Sequence, residues 1–183
     1  MAQSNTNDMV IGRHPAMAAL KSGQTINKVF VQAGSNSDAI AEIVTRAKQK
    51  GIIVSQVPKT KLDQLSNNQN HQGVVLTVSP FEYATVDDLF ARAAKRNEDP
   101  LFLILDGIED PHNLGSILRT ADAAGIHGII IPKRRAVQLT STVAKTSTGA
   151  IEYVPVARVT NLVQTVKQLK ERGVWVFGTD MKG

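Results

Sequence analysis

One residue whose type and placement could do chemistry is Arg119, the alternative being an ordinary βαβ unit in which it is simply solvated. The spacing around it predicts a helix from Leu114 to Ala124, with Asn113 as N-cap and Gly125 as the left-handed C-cap. Stepping about 100° per residue puts Leu114, Ile117, Leu118, Ala121 and Ala124 on one apolar arc and Gly115, Ser116, Arg119 and Asp122 on the other. Arg119 therefore points away from the core stripe, and Gly115, one turn earlier, puts no side chain in the way of the guanidinium. A guanidinium keeps its charge and donates from a planar fork, so it can clamp a phosphate or steady a developing oxyanion, but it offers no lone pair to act as a base. Lys133, Arg134 and Arg135 form a second cationic group, suited to phosphate, in the loop that leaves the next apolar run. Arg13, His14, Asn70, His71 and Gln72 make a third polar set near the N-terminus.

These side chains need elements to hold them. Leu101–Arg135 reads as strand, loop, helix, strand, at about the thirty residues of a βαβ unit, and places Asn113 at the C-terminal end of a buried strand, where open α/β sheets bind ligands. Before it, a helix start at Pro15 ends near Gly23, followed by a strand at Lys28–Gln32 and a helix capped by Ser37 and closed by Gly51. A strand at Ile52–Val57, a short helix at Lys59–Leu65 and a strand at Val74–Val78 complete a small three-layer α/β domain. Residues 80–99, rich in charge and bounded by Pro80 and Pro100, read as a connection containing a short helix from Asp87 to Arg96. After the Lys133–Arg135 loop come a Ser/Thr-rich stretch, a strand near Tyr153–Val156, a helix over Asn161–Arg172 capped by Thr160, and a last strand at Val174–Phe177. The fold class is α/β, with domain boundaries expected at 1–79, 80–99 and 100–183.

Composition narrows the function. The chain has 183 residues and no cysteine, which rules out disulfides and cysteine-bound zinc. The histidines lack metal-ligand spacing, so no metal is expected, and there is neither a GxSxG elbow nor a P-loop. The start has no signal-peptide pattern and no run is long enough to span a membrane, so a cytoplasmic location is expected. The net charge of +5 is unevenly spread, since residues 128–183 carry 9 Lys or Arg against 3 Asp or Glu. That asymmetry suits a polyanionic partner such as nucleic acid.

The segment LDGIEDPHNLGSILRTADAAG resembles the first signature motif of the SpoU-type (TrmH-like) RNA ribose 2′-O-methyltransferases of the SPOUT superfamily, and KTSTGAIEYVPVARVTNL resembles the second. IGRHPAMAAL and NHQGVVLTV resemble the two ends of the L30e-like substrate-binding domain that precedes the catalytic domain in many of these enzymes. The resemblance implies a C-terminal SPOUT-type (α/β knot) domain with a parallel sheet, S-adenosylmethionine as methyl donor, RNA as substrate and a homodimer. It makes Arg119 the essential residue, with Asn113 beside it and Glu152 supplied by the second motif. It implies RNA contacts at Arg13, His14, Asn70, His71 and Gln72, and cofactor contacts at Gly178, Thr179 and Asp180, while Lys133, Arg134 and Arg135 are expected to contact RNA from their place at the sheet edge.

The family's third motif, a GSEG-like turn followed by an SLN-like segment, is not in the sequence. The methyltransferase domain is accordingly expected to be incomplete here, with most of the cofactor pocket beyond residue 183. The 183-residue chain is expected to be inactive on its own and to show no micromolar binding of S-adenosylmethionine by calorimetry. The accessory domain favours 23S ribosomal RNA as the target. A tRNA methyltransferase, an antibiotic-resistance rRNA methyltransferase, or a non-catalytic RNA-binding protein using the L30e-like domain are the other readings.

Overall fold

The computed structural model describes residues 8–179 and divides into two compact units. One comprises the chain up to Glu82 with Gln138–Lys145, and the other Tyr83–Val137 with the chain from Thr146 onward.

In the first unit, β1 (Met9–Ile11), β2 (Ile26–Gln32), β3 (Ile53–Val57) and β4 (Val74–Val78) form one mixed sheet in the order β1-β4-β2-β3. Only β2 and β3 run parallel. The period-two alternation of these strands sends Val29, Val31, Val74, Leu76 and Val78 toward one apolar cluster. Helices α1 (Arg13–Lys21) and α2 (Asp38–Gln49) complete that cluster with Ala16, Leu20, Ile40, Ile43 and Ala47. Helix α3 (Lys59–Leu65) contacts β2 and β4 and buries Leu62 fully. Strand β1 is an element that the sequence reading left unassigned ahead of the helix start at Pro15. Three residues are too few for a periodic signal, and Gly12 separates them from α1.

The same unit includes Gln138–Lys145. Buried Asp8 accepts hydrogen bonds from the backbone and the hydroxyl of Ser141 at 3.0 and 2.7 Å, and Asn27 donates to the Leu139 carbonyl at 2.8 Å.

The second unit is built on a parallel sheet, β5 (Phe102–Ile104), β6 (Gly128–Pro132) and β7 (Val156–Val159), in the order β5-β6-β7. Helix α4 (Val86–Arg96) lies in the stretch read as a connection, yet its Leu89 joins Ile130, Ala157 and Leu169 in the core, and Phe90 meets Phe102 edge-on at 5.0 Å. Its start is a reciprocal capping box between Thr85 and Asp88. The Thr85 backbone N–H, and after it the Thr85 hydroxyl, hold the Asp88 carboxyl below the usual carboxylate range. A depressed carboxylate stabilises the folded form above its unfolded pKa, so this support is lost as pH falls through the folded value.

Gly128 is where α4 sits on the sheet. A Cβ there would run into Leu89 Cδ2 and lie 2.8 Å from Cδ1 and 2.9 Å from Cγ, while Leu89 has no exposed surface through which to retreat. Gly128→Ala should cost about 1–3 kcal/mol by overpacking, measured as a shift in the denaturation midpoint. An unchanged midpoint would mean that α4 can slide along the sheet.

Helix α5 (Pro111–Ala123) starts three residues earlier than its apolar spacing suggests. Asn113 is not the N-cap: Asp110 fills that role, its carboxylate accepting from the backbone N–H of His112 at 2.6 Å and of Asn113 at 3.4 Å. Pro111 at the first helical position explains the choice, because its fixed φ is preorganised for the helix and the amide it lacks would go unpaired there. Gly125 closes the helix at φ 69°, as its position implies.

Helix α6 (Ser141–Thr146) and a 3₁₀ turn (Ala150–Glu152) then precede β7. Helix α7 (Leu162–Glu171) is capped by Asn161 rather than Thr160, the Asn161 side chain accepting from Gln164 N–H at 3.0 Å. The expected strand at Val174–Phe177 is absent. The segment keeps a strand's alternation, Val174 and Val176 half-buried against Trp175 and Phe177 each 84 % exposed, but has no regular secondary structure. β-Branched and aromatic residues in alternation specify a pleat, whereas a strand also needs a neighbour to pair with.

Candidate active site

The site residues of the second unit gather around α5. Arg119 is exposed on the helix face away from buried Leu114, Leu118 and Ala121, and its guanidinium makes no ion pair or hydrogen bond among the described residues. It is a free cation with its fork available, as the periodicity implied. Asn113 is exposed in the first turn of the same helix. Glu152 is exposed at the end of the 3₁₀ turn, whose Ala150 and Ile151 are buried and which packs against α5. Arg119 and Asn113 thus lie on α5, and Glu152 lies on the turn beside it.

Gly115 explains how those elements approach each other, and its role differs from the open space assigned to it. It is buried, and a Cβ at this position would lie 2.6 Å from Thr146 Cβ, 2.8 Å from Thr146 Cγ2 and 3.0 Å from its backbone carbon. The missing side chain lets the chain entering the second motif lie directly on α5. Ser147, next along, is completely buried, and Thr148 (φ 48°) and Gly149 (φ 95°) turn the backbone into the 3₁₀ turn. Sequence reasoning missed this contact, since a glycine on a polar arc gives no indication of which residue comes close.

The cationic loop lies at the same end of the sheet as the α5 entry loop. The Val137 N–H donates to the Ile108 carbonyl at 2.8 Å, tying the chain after β6 to the chain before α5. Arg134 and Arg135 are exposed, Arg135 at φ 55°, and Lys133 is half-buried with its backbone N–H on the Val159 carbonyl at 2.8 Å.

Of the residues assigned to the cofactor, the two that are described are open to solvent. Gly178 and Thr179 are exposed, nothing lies within 4 Å of a Cβ built on Gly178, and Asp180 falls outside the described residues. No step of the chemistry is routed through them. Among the described residues there is no cluster of metal-ligating side chains and no helix long and apolar enough to cross a membrane.

In the first unit, Arg13, Asn70, His71 and Gln72 line one cavity of about 500 Å³, while His14 is exposed on α1. Arg13 Nε donates to the Gln72 carbonyl at 2.9 Å, and its backbone N–H to Gln72 Oε1 at 3.1 Å. His71 is 5 % exposed with both ring nitrogens engaged: Nδ1 accepts from Gly73 N–H at 2.9 Å and Nε2 donates to Asp63 at 3.0 Å. It shapes the loop from within, whereas Asn70 and Gln72 are exposed. Gln32 and Lys59 also line the cavity and were not anticipated, because they come from segments with no shared motif.

Comparison with known proteins matches the chain in two parts. Residues 9–84 match the family described as RNA 2′-O ribose methyltransferase substrate binding, and residues 100–183 match the SpoU rRNA Methylase family. YacO of Bacillus subtilis, named as a TrmH family tRNA/rRNA methyltransferase, is 54 % identical over 97 % of this chain and 71 % of its own length. A Staphylococcus aureus (strain COL) protein named to the same family is 56 % identical over 94 % of this chain and 69 % of its own length. Among solved structures, the SpoU methyltransferase AviRb from Streptomyces viridochromogenes, in complex with the cofactor AdoMet, is 24 % identical with a TM-score of 0.43, over 90 % of this chain and 60 % of its own.

Proposed function

We propose, from the premise that the chain belongs to the SpoU/TrmH family of RNA methyltransferases, that it takes part in S-adenosylmethionine-dependent methylation of a ribose 2′-hydroxyl in 23S ribosomal RNA. In this reading residues 1–79 bind the substrate, 80–99 connect, and 100–183 belong to the methyltransferase domain of a cytoplasmic homodimer. The observation that carries it is Arg119, an exposed guanidinium on α5 without a partner among the described residues, with Glu152 on the neighbouring turn.

The RNA side of the chemistry follows from those groups. A ribose hydroxyl must shed its proton as its oxygen becomes a nucleophile, and the sugar must be held still while it does so. Arg119 binds the phosphate beside the target ribose and stabilises the alkoxide as it forms. Glu152, exposed to solvent and free to approach, orients that guanidinium or accepts the proton. Asn113 supplies a neutral donor and acceptor at the head of the helix, and Arg134 and Arg135 hold flanking phosphates.

The test is to incubate the native full-length protein with ribosomal RNA and, in parallel, with transfer RNA, each with S-adenosylmethionine labelled in the methyl group, then to digest the RNA with alkali. Alkaline cleavage needs a free 2′-hydroxyl, so a 2′-O-methyl group leaves a labelled dinucleotide that resists it. Label released as mononucleotides would place the methyl on a base, and label confined to transfer RNA would overturn the choice of substrate.

A further inference from the structure

We infer that the cavity of the first unit is a site for a single unstacked nucleotide of the RNA, an inference that rests on the substrate being RNA. The cavity opens at the carboxyl ends of the parallel pair β2 and β3, the edge of an α/β sheet where ligands are usually held. Its volume of about 500 Å³ is that of a small-molecule site. Its lining has the two chemistries that a nucleotide needs. Gln32, Asn70 and Gln72 carry amides, each with paired donor and acceptor groups that match a base edge, and Arg13 and Lys59 carry positive charge for the phosphate.

Two arrangements show that this lining is prepared in advance. Gln72 adopts φ 49°, a costly conformation for a residue other than glycine, and in it grips both the backbone and Nε of Arg13. The guanidinium plane is thereby fixed while its two terminal nitrogens have no partner among the described residues, which leaves a flat cationic surface for a base to stack on. His71, clasped between Gly73 and Asp63, fixes the loop that carries Asn70 and Gln72 and occupies the acidic group of the cavity. A fully paired helix keeps its bases stacked and their Watson–Crick edges paired and cannot fill such a cavity, whereas a bulged or looped nucleotide can.

The experiment compares binding of the native protein to two RNA hairpins, one fully paired and one with a single extra unpaired nucleotide, by fluorescence anisotropy over a range of salt. The bulged hairpin is expected to bind about tenfold more tightly, the value of a well-placed hydrogen-bonded base. Asn70→Ala and Gln32→Ala should remove that preference while leaving affinity for the paired hairpin unchanged, with thermal melts confirming the fold. Lys59→Ala should weaken both complexes and reduce the salt slope by about one. Equal affinity of the native protein for the two hairpins, or a preference that survives both amide variants, would overturn the inference. Equal affinity of the native protein for the two hairpins with alkali-resistant methylation intact would sink this site alone. A preserved preference with no 2′-O-methyl product would sink the proposed reaction alone.

Discussion

Arg119→Ala is expected to lower methyl transfer to ribosomal RNA by about two to three orders of magnitude, the usual loss when one preorganised donor to a developing oxyanion is removed. Stability should stay within about 0.5 kcal/mol, because the side chain is exposed and bonds to nothing among the described residues. Arg119→Lys separates the possible roles. A lysine retains the charge but not the planar fork, so it should recover only part of the lost rate, and the pH profile should keep its native shape. If Arg119 were the base, lysine would introduce a group that deprotonates within reach of ordinary assays, and the profile would gain a new limb. Near-normal transfer by Arg119→Ala would remove this residue from the mechanism.

The exposure of Arg119 was legible in the sequence because it depends on periodicity, whereas its role rests on the resemblance. Leu114, Leu118 and Ala121 are buried and Arg119 is exposed, as one turn in 3.6 residues requires. The surrounding strands were equally legible, since Phe102–Ile104 and Gly128–Pro132 are apolar runs bounded by turn residues. The cap was misplaced for a definite reason. Asp110 and Asn113 are both good N-caps, and the apolar pattern begins only at Leu114, but Pro111 needs a first-turn position and decides for Asp110. Val174–Phe177 shows another limit: alternation records which way side chains point, and pairing depends on a neighbour that the segment's own sequence does not specify.

The candidate site divides in the same way. Exposed cations on a known helix face could be placed from sequence, whereas contacts between distant segments could not. The cavity draws on α1, the end of β2, the start of α3 and the loop before β4, and no local pattern joins Lys59 to Gln32. The clasp of His71 by Asp63 and Gly73 likewise turns what reads as a polar loop residue into a buried support. A histidine between two amides gives no sign of whether its ring faces water or protein.

Gly115 is the position where such a hidden contact should have the largest consequence for the reaction. In an exposed helix interior, glycine to alanine would add about 1 kcal/mol of stability. Here the added methyl would lie 2.6 Å from Thr146 Cβ, and overpacking of a buried contact costs about 1–3 kcal/mol, so Gly115→Ala should be neutral to destabilising by up to about 2 kcal/mol. Methyl transfer should fall much further than stability, because the chain that must give way leads within six residues to Glu152. A displacement of about 1 Å at a positioned group is enough to cost on the order of a hundredfold in rate. Thr146→Gly supplies the decisive comparison, since it removes the two side-chain atoms that the new methyl would strike and leaves only the backbone carbon at 3.0 Å. In a double-mutant cycle, Gly115→Ala should be far less harmful to transfer in the Thr146→Gly background than in the native one, giving a coupling of about 1–2 kcal/mol. Additive losses would mean that α5 and the 3₁₀ turn are positioned by some other contact, and that the close approach at Gly115 does not set the place of Glu152.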